Sequence, residues 1–583
     1  MMRTPFPAIR SYAVRSENLI CGLAVLIFVI CIAPRKLRSQ SSTAPGSAVG
    51  RISSSSNVAP HSGSDTYISS EPCAKCHASI YESYSHTAMA NASGPASQGV
   101  IAGDFEHKPS GVHYRVSAEN GQVWLSFERP GDPMLQGKRE LLYFIGSGGR
   151  GRSYLFSLDG FLFESPINWY GQRRVWDMAP AYQQARETPM NLPALPGCLT
   201  CHTSGLQPPL PGTQNKYPSP VFAHSGITCE RCHGAGSLHA ANAGPIVNPA
   251  KLPPERRDEI CMQCHLEGNV AIEQPGRHLY EFEPGKNLSD FIRYFVYTGD
   301  DRRGMGALSQ VQALAQSVCK KKTGDAMWCI SCHDPHSTPA AAQKVEYYRA
   351  RCVACHRDVA FAEKHHPNQR DCTQCHMARA ASSDVAHTQV TDHRILRVPE
   401  MQLEDLSAPR VRDLVPFPPG TADARDLALA WQSIAANGTE AERTKARGLL
   451  QAAVERTPND AVLLAALGYT EQQSGAADLA RENYERALAI DPSTRDAATN
   501  LGVIEAKAGD LTSAVALWKR AFENSPGTSQ IGMNIAFAYC AAGKLDEART
   551  YVRRVLEFNP DLGVAKTLEQ RLAANPPSCN PPK

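Results

Sequence analysis

The sequence predicts a mainly α-helical protein in two parts: a loop-rich N-terminal region with a small antiparallel β insert, and a C-terminal α-solenoid. Three observations support this prediction. Seven copies of Cys-x-x-Cys-His lie before residue 377, strand-like segments separate the first two copies, and small residues recur every 34 positions near the C-terminus. Apolar residues make up 42% of the 583 residues, which is enough for several packed cores.

The Cys-x-x-Cys-His motifs use fourteen of the nineteen cysteines. This pattern is the attachment signature of c-type haem, in which two thiols bond the porphyrin and the adjacent histidine binds the iron. Zinc sites and redox disulfides also use Cys-x-x-Cys, but neither requires a histidine after every pair. The sequence therefore predicts about seven covalently bound haems. In chain order, motifs 1 to 7 are Cys73/Cys76/His77, Cys198/Cys201/His202, Cys229/Cys232/His233, Cys261/Cys264/His265, Cys329/Cys332/His333, Cys352/Cys355/His356 and Cys372/Cys375/His376.

Second axial ligands must come from the twelve histidines outside the motifs. His336 follows His333 by three residues, so both lie on one helical face and His336 is expected to bind a different iron. Two histidines on every iron would leave no open position, which favours electron transfer over chemistry. The candidates are His86, His224, His239, His336, His366, His387 and His393, with His278 and His365 in reserve, whereas His61, His107 and His113 are not expected to bind iron.

Residues 1–38 carry an export signal. Three arginines precede the apolar run Leu19–Ala33, and three basic residues follow it without a clear Ala-x-Ala cleavage site. The sequence therefore leaves both a cleaved signal peptide and an uncleaved membrane anchor open. Covalent haem attachment takes place outside the cytoplasmic membrane in bacteria, so the protein is expected in the periplasm or on the outer face of that membrane. Residues 39–66, rich in Ser, Gly, Ala and Pro, are predicted to be a disordered tether.

Residues 67–398 hold the seven motifs and, at about 105–182, the β insert. Two predicted strands, His113–Ser117 and Val123–Phe127, flank a Glu-Asn-Gly turn at residues 119–121. Further strands are predicted at Leu141–Ile145, Ser153–Ser157 and Phe161–Phe163, and a helix at Ala307–Ser317. Long periodic segments are few after residue 198, which is typical of a fold whose core is largely porphyrin.

Residues 424–575 form the predicted solenoid. Pro458, Pro492, Pro526 and Pro560 are spaced by 34 residues, and three glycines keep the same step. This period is that of the tetratricopeptide repeat, which forms a groove suited to a protein or peptide ligand. Residues 399–423 are predicted to be a linker and residues 576–583 a tail. The five cysteines outside the motifs suggest no disulfide framework, and Cys540 is expected to be a packing residue.

Several stretches resemble a known family. Gly226–His239, Trp328–His336, His387–Ile395 and Gly146–Tyr154 resemble the multihaem c-type cytochromes of the cytochrome c-554 type, in the form fused to tetratricopeptide repeats. The resemblance covers roughly Tyr67–Val398, with the repeats behind. It implies a multihaem cytochrome fold with bis-histidine haems stacked in a chain for electron transfer.

The resemblance supports His387 and His393 as iron ligands, but one position departs from it. Such proteins often carry Ser-His before the helix that leads to the extra cysteine. Here Ser309 is followed by Gln310. One distal ligand is therefore missing or supplied from elsewhere.

Three functions remain open from the sequence. The 60 basic and 57 acidic residues nearly balance, which offers no electrostatic case for nucleic acid. The favoured function is exported electron transfer, with the repeats docking redox protein partners. The alternative is an oxidoreductase acting on a small nitrogen or sulfur compound at one open haem. A structural assembly module is disfavoured, because seven haems are a heavy requirement for scaffolding.

Overall fold

The computed structural model of the chain describes residues 65–579, apart from 181, 189, 299–305, 309, 358–369, 383–384 and 398–412. The predicted export signal, nearly all of the predicted tether, and His61, His365 and His366 lie outside these residues. Within the described residues, no helix is long and apolar enough to cross a membrane.

An antiparallel sheet of eight strands is the largest β element among the described residues. Strands β2 to β8 pair in chain order, and β1 adds to β5. The strands are β1 Ser93–Pro95, β2 Gly103–His107, β3 Val112–Glu119, β4 Gln122–Arg129, β5 Asp132–Ile145, β6 Gly151–Leu158, β7 Phe161–Tyr170 and β8 Val175–Met178.

Strands β3 and β4 form the hairpin predicted from the Asn-Gly dipeptide. Asn120 and Gly121 have φ values of 52° and 81°, and a two-residue type I′ turn requires positive φ at both positions. Alternate residues of the two strands point into one core, where Tyr114 and Leu125 are completely buried. This alternation is the period-two pattern that predicted the strands.

Trp176 brings the two ends of the sheet together. Its indole Nε1 donates to Ala102 O at 3.4 Å, directly before β2, and its ring covers Gly103 so closely that no side chain would fit there. The sheet is therefore nearly closed, like a barrel.

The prediction of a small insert at 105–182 is wrong in size, because the sheet begins at Ser93 and contains eight strands. The first half of β5 reads Asp-Pro-Met-Leu-Gln-Gly-Lys, which has no apolar alternation. Its pairing with β4 comes from the neighbouring strand rather than from its own pattern.

Short helices and three small sheets surround the motifs. The predicted helix at Ala307–Ser317 is observed as α6, and the predicted linker contributes strand β15. The helices are α1 Ala78–Ser85, α2 Pro196–His202, α3 Glu230–His233, α4 Ser237–Ala240, α5 Pro254–His265, α6 Gln310–Gln316, α7 Val318–Thr323, α8 Lys344–Cys355 and α9 Cys372–His376. The strand sets are β9 Thr203–Leu206 with β10 Phe222–Ser225, β11 Val270–Glu273 with β12 Ile292–Tyr297 and β15 Leu414–Phe417, and β13 Arg379–Ala381 with β14 Gln389–Thr391.

The C-terminal helical repeats follow the predicted period. In each of two repeats, a glycine on the first helix faces an aromatic ring on the second. A Cβ at Gly468 would lie 2.9 Å from the Tyr484 ring, and one at Gly502 would lie 2.5 Å from Trp518 Nε1, so these positions permit close helix pairing. The helices are α10 Ala424–Ala435, α11 Glu440–Arg456, α12 Ala461–Gln473, α13 Ala477–Ile490, α14 Arg495–Ala508, α15 Leu511–Asn524, α16 Ser529–Ala541, α17 Leu545–Phe558 and α18 Gly563–Ala573.

The last repeat packs against the eight-stranded sheet. Phe558 is 2% exposed and lies edge-on to Phe163 at 5.7 Å and to Phe161 at 6.5 Å between ring centroids. Asp561, also 2% exposed, accepts two hydrogen bonds from the Arg129 guanidinium at 2.7 and 2.6 Å. The sheet and the last repeat therefore share one core.

The first repeat is also attached to the motif-bearing region. Trp431 of α10 is buried in one cluster with Phe295 of β12 and Leu414 of β15. Gln274 Nε2 donates to the Asp426 carboxylate at 2.9 Å across the same contact. Both ends of the solenoid thus pack against the preceding part of the chain.

Cys540 and Cys579 form a disulfide, with Cα atoms 5.9 Å apart. The expectation of no disulfide, with Cys540 as a packing residue, is therefore wrong. The chain turns back after α18, where Ser578 N donates to Arg571 O at 3.1 Å, and this turn returns Cys579 to α16. Residue spacing alone does not reveal such a return.

Candidate haem sites

Each motif lies on a short helical segment, most often at the end of a helix. His77 N donates to Cys73 O at 2.9 Å, and His233 N donates to Cys229 O at 3.0 Å. The same bond recurs in motifs 5 and 6 at 2.9 Å. An i to i+4 bond places both thiols and the imidazole on one face of a single turn, which is the geometry that one porphyrin requires.

The fourteen motif cysteines are all free thiols, and none is fully buried. Free cysteine is normally among the most buried residue types, so this exposure needs a cause. Helix α8, which carries Cys352 and Cys355, buries none of its residues. Half-exposed thiols on helices without a core of their own fit a large apolar group such as a porphyrin, which would supply that core.

In motifs 6 and 7, two predicted attachment residues, His356 and Cys375, lie at or near the end of a helix. His356 follows α8 directly, its N–H donates to Cys352 O at 2.9 Å, and its side chain is exposed. Cys375 is a half-buried free thiol inside α9, one residue before His376. These positions show the predicted helical turn. Iron binding by His356 and a thioether link at Cys375 stay predictions.

Three motif histidines face histidines from elsewhere in the chain. Ring centroids are 6.3 Å apart for His77 and His239, with 13° between the planes. The pair His233 and His336 shows 6.1 Å and 11°. An iron about 2.0 Å from a nitrogen of each ring would set the centroids about 6 Å apart, so these pairs fit an axially ligated haem.

The third pair is His333 and His393, at 6.2 Å and 26°. His333 therefore faces His393, whereas its near neighbour His336 faces a different motif. This is the division expected from their three-residue spacing.

Backbone carbonyls orient several imidazoles. Nδ1 of His233 donates to Val247 O at 2.8 Å, and Nδ1 of His376 donates to Leu396 O at 2.7 Å. Nδ1 of His393 donates to Thr391 O at 2.9 Å. Since a carbonyl can only accept, each bond fixes the proton on Nδ1 and leaves Nε2 as the metal-binding nitrogen.

Burial favours the neutral form of five imidazoles at these sites. It lowers the pKa of His202, His265 and His333, and it lowers the pKa of His233 and His393 against the opposing effect of their carbonyl partners. A neutral imidazole has the lone pair that an iron ligand needs.

Family models match both parts of the chain. The model described as cytochrome c554 and c-prime matches residues 172–234, which include motifs 2 and 3. The doubled CXXCH motif matches residues 322–361, which include motifs 5 and 6. Tetratricopeptide repeat models match residues 465–529 and 505–572.

Together, these matches support a multihaem c-type cytochrome fused to tetratricopeptide repeats. Solved structures similar to this cytochrome include a crystal structure of MamA, at 22% identity over 23% of this chain and 75% of that chain, with a TM-score of 0.21. Another, titled functional characterization of Pseudomonas aeruginosa pilF, is 23% identical over 25% of this chain and 66% of that chain, with a TM-score of 0.23. No curated protein matches the cytochrome significantly.

Three predicted distal candidates of the cytochrome have other neighbours. His86 is 76% exposed in its side chain and lies 3.2 Å from Glu82. His387 lies 2.5 Å from Asp177 and edge-on to Tyr170, and His224 lies on strand β10. Nδ1 of the reserve His278 donates to the Glu273 carboxylate at 2.8 Å. None of these four faces a motif histidine as the three pairs do, within the described part of the chain.

Glu230, inside motif 3 of the cytochrome, is a structural residue that the sequence did not suggest. It is 1% exposed, and its carboxylate accepts from Ile68 N at 2.8 Å and from Ser69 N at 2.9 Å. These bonds hold the segment before motif 1 against motif 3. No local signal marks Glu230, because its partners are about 160 residues away.

Gln310 lies beside motif 4 of the cytochrome. Helix α6 is held there by Gln312 Oε1, which accepts from Gly268 N at 3.0 Å. Gln310 Nε2 donates to Ala307 O at 2.6 Å, while its buried Oε1 has no partner at normal hydrogen-bond length among the described residues. Burial lowers the pKa of His265, and the nearby Gln310 amide opposes that shift. Motif 4 thus has an amide near its histidine, whereas motifs 1, 3 and 5 each have an imidazole that faces theirs.

Proposed function

We propose that this cytochrome is an exported electron-transfer protein that binds seven haems covalently. The observation that carries the proposal is the set of three histidine pairs at 6.1 to 6.3 Å. Two imidazoles on one iron leave no open coordination position and favour a centre that only gains and loses an electron.

In this proposal, each pair supplies a distal ligand from a segment near another motif. His239 serves motif 1 although it follows motif 3, His336 serves motif 3 although it follows motif 5, and His393 serves motif 5 although it follows motif 7. Because each distal ligand comes from a segment near a different motif, these ligands would connect consecutive segments and hold the haems in one stack. For the other four irons, His86, His224, His366 and His387 remain the candidates.

Export is supported by the disulfide between Cys540 and Cys579. Disulfides persist in oxidising compartments such as the bacterial periplasm and are rare in the cytosol. The apolar run Leu19–Ala33 and the extracytoplasmic attachment of haem agree with this location. We assign the cytochrome to the periplasm or to the outer face of the cytoplasmic membrane.

The repeats indicate a role in protein interaction. We assign to them the docking of a redox partner or another protein. Since both ends of the solenoid pack against the motif-bearing region, a protein bound to the repeats would be held at a fixed position relative to the haems.

The haem count tests the proposal. Holoprotein from a host with haem-maturation machinery should exceed the mass of the processed apoprotein by seven haems. The double substitution Cys229→Ala and Cys232→Ala should reduce the count to six, because motif 3 loses both thioether links.

The matched control is Cys319→Ser, which removes the one free cysteine outside the motifs among the described residues and should leave seven haems. Five or fewer haems in the unaltered protein, with normal folding of the repeats, would contradict the proposal.

A second candidate function is supported by Gln310. An amide is a poor iron ligand but a good hydrogen-bond donor and acceptor for a small molecule. If Gln310 occupies the distal side of motif 4, that haem would be open, and the cytochrome would be an oxidoreductase for a small nitrogen or sulfur compound. The haem would supply the redox chemistry, and Gln310 would orient the bound molecule.

Electron paramagnetic resonance of the oxidised protein separates the two functions. An open haem predicts a high-spin ferric signal worth one haem. Gln310→His should abolish that signal by adding a second imidazole. The same substitution at Gln316, on another face of α6, should leave it unchanged.

A wholly low-spin spectrum in the unaltered protein would reject the open haem. A high-spin signal that persists in Gln310→His would place the amide behind the His265 ring rather than on the open side.

A further inference from the structure

The order in which the motifs touch differs from their order in the chain. Each motif thiol marks one edge of the porphyrin it would carry, so neighbouring thiols bring two porphyrin edges together. Electron tunnelling falls exponentially with the distance between such edges. The contacts between motifs therefore determine the route that electrons take.

Motif 1 touches motif 3 rather than motif 2. Cys229 N donates to Ser70 Oγ at 3.0 Å, and Glu230 accepts from Ser69 N at 2.9 Å. The Cys229 thiol is also close to that of Cys73, where burial and this neighbour together raise the pKa of Cys73 to about 11. In the chain, these two cysteines are separated by the whole of motif 2 and the eight-stranded sheet.

Motif 4 contacts both motif 2 and motif 3. Cys201 Sγ donates to Gln263 O at 3.7 Å, and Gln263 Nε2 donates to Arg231 O at 3.2 Å. The Cys201 and Cys264 thiols interact directly, which raises the pKa of Cys201. Motif 4 is thus the meeting point of the first three motifs.

The segment that carries motif 4 also contacts the segment that carries motif 5. The Arg257 guanidinium lies 4.2 Å from the Trp328 ring centroid, directly before motif 5, and Lys320 lies 3.6 Å from Asp258. The Cys261 thiol also interacts directly with the thiol of Cys329, the first cysteine of motif 5.

The last three motifs follow in chain order. The Tyr348 hydroxyl of helix α8 lies 3.4 Å from His333 Nδ1, which joins motif 6 to motif 5. Arg370 donates twice to the Glu346 carboxylate at 2.8 Å, which joins motif 7 to motif 6.

We propose that electrons pass along motifs 1, 3, 4, 5, 6 and 7, and that motif 2 is a side branch joined to this route at motif 4. The proposal rests on the proposed haem binding and adds the order of the centres. Of the fourteen motif cysteines, only Cys76 and Cys355 are exposed. They belong to motifs 1 and 6, near opposite ends of the route, where external partners can approach. The haem of motif 2 would be a redox centre that electrons need not visit as they pass from motif 1 to motif 7.

Flash-induced electron transfer in the haem-loaded protein tests the route. A ruthenium photosensitiser is attached through Ile80→Cys, since Ile80 is 43% exposed on α1 beside motif 1, in a Cys319→Ser background. His393→Met gives motif 5 a methionine ligand, which raises its potential and makes it the destination of the electron. The absorbance of that haem then reports arrival.

Two matched double variants are compared in this parent protein. Replacing Cys198 and Cys201 by alanine removes the motif 2 haem and should leave the arrival rate unchanged. Replacing Cys261 and Cys264 by alanine removes the motif 4 haem and should abolish arrival. Loss of arrival in both variants would overturn the proposal in favour of a route in chain order, and retention in both would remove motif 4 as the junction.

A second pair of variants controls for misfolding caused by the loss of a whole haem. His202→Ala and His265→Ala keep both thioether links and remove only the iron ligand, and only the second should slow arrival. The mass of the parent protein distinguishes a failure of the proposed haem binding from a failure of the proposed route. Five or fewer haems in the parent contradict the proposed function, whereas seven haems with transfer in chain order contradict the route alone.

Discussion

Phe558→Ala should lower the free energy of unfolding by about 3–5 kcal/mol, the cost typical of deleting a buried aromatic side chain. Phe558 is 2% exposed and lies in one core with Phe161 and Phe163 of strand β7. The substitution would open a cavity between the last repeat and the sheet. Urea unfolding of the haem-loaded protein, followed by circular dichroism and tryptophan fluorescence, measures the change.

The matched control is Phe537→Ala. Phe537 is 46% exposed on helix α16, so its removal should change stability by less than about 0.5 kcal/mol. Equal effects of the two substitutions would show that the last repeat does not pack on the sheet. Deleting the repeats should likewise destabilise the sheet, because Phe558 would leave its core.

Asp561→Ala should cost about 3–5 kcal/mol, because breaking a buried ion pair leaves an uncompensated charge. The Asp561 carboxylate is 2% exposed and accepts from both Arg129 guanidinium nitrogens and from Thr188 N at 2.8 Å. Lys566 lies 3.5 Å away on the same side. Chemical denaturation at constant pH measures the loss.

Asp159→Asn is the control for this prediction. Asp159 pairs with Arg554 across the same boundary, but its side chain is 50% exposed. An exposed pair is worth about 0–1 kcal/mol, and asparagine tolerates the positive φ of 54° at this turn. If both aspartates had the same small effect, Asp561 would not be a buried ionic contact.

The helical turns that carry the predicted haem-attachment residues could be predicted because their geometry is local. Cys-x-x-Cys-His places three groups on one helical turn wherever it occurs, and the turn-closing bond is seen in motifs 1, 3, 5 and 6. The distal histidines could be nominated by spacing, but not assigned to an iron. His77 and His239 are brought together by contacts between segments about 160 residues apart, and no local pattern encodes such a contact.

Strand prediction succeeded where the chain carries its own signal. The hairpin at Asn120 and Gly121 has alternating apolar residues and an obligatory turn dipeptide. Strand β1 and the first half of β5 lack that alternation, and they become strands only because neighbouring strands offer unpaired backbone groups. The size of the sheet was therefore underestimated.

The sequence by itself determined the local and the periodic features of this protein: the haem-attachment turns, the Asn-Gly hairpin and the 34-residue helical repeat. Only the tertiary structure decided where those parts meet. In the repeat period, Phe558 occupies the position of Ile490, and in that earlier repeat the residue is 43% exposed. Phe558 is buried because the sheet covers that face of the last repeat. Burial of this kind depends on the sheet, which lies elsewhere in the chain. The periodic pattern describes only the surface of the repeat itself.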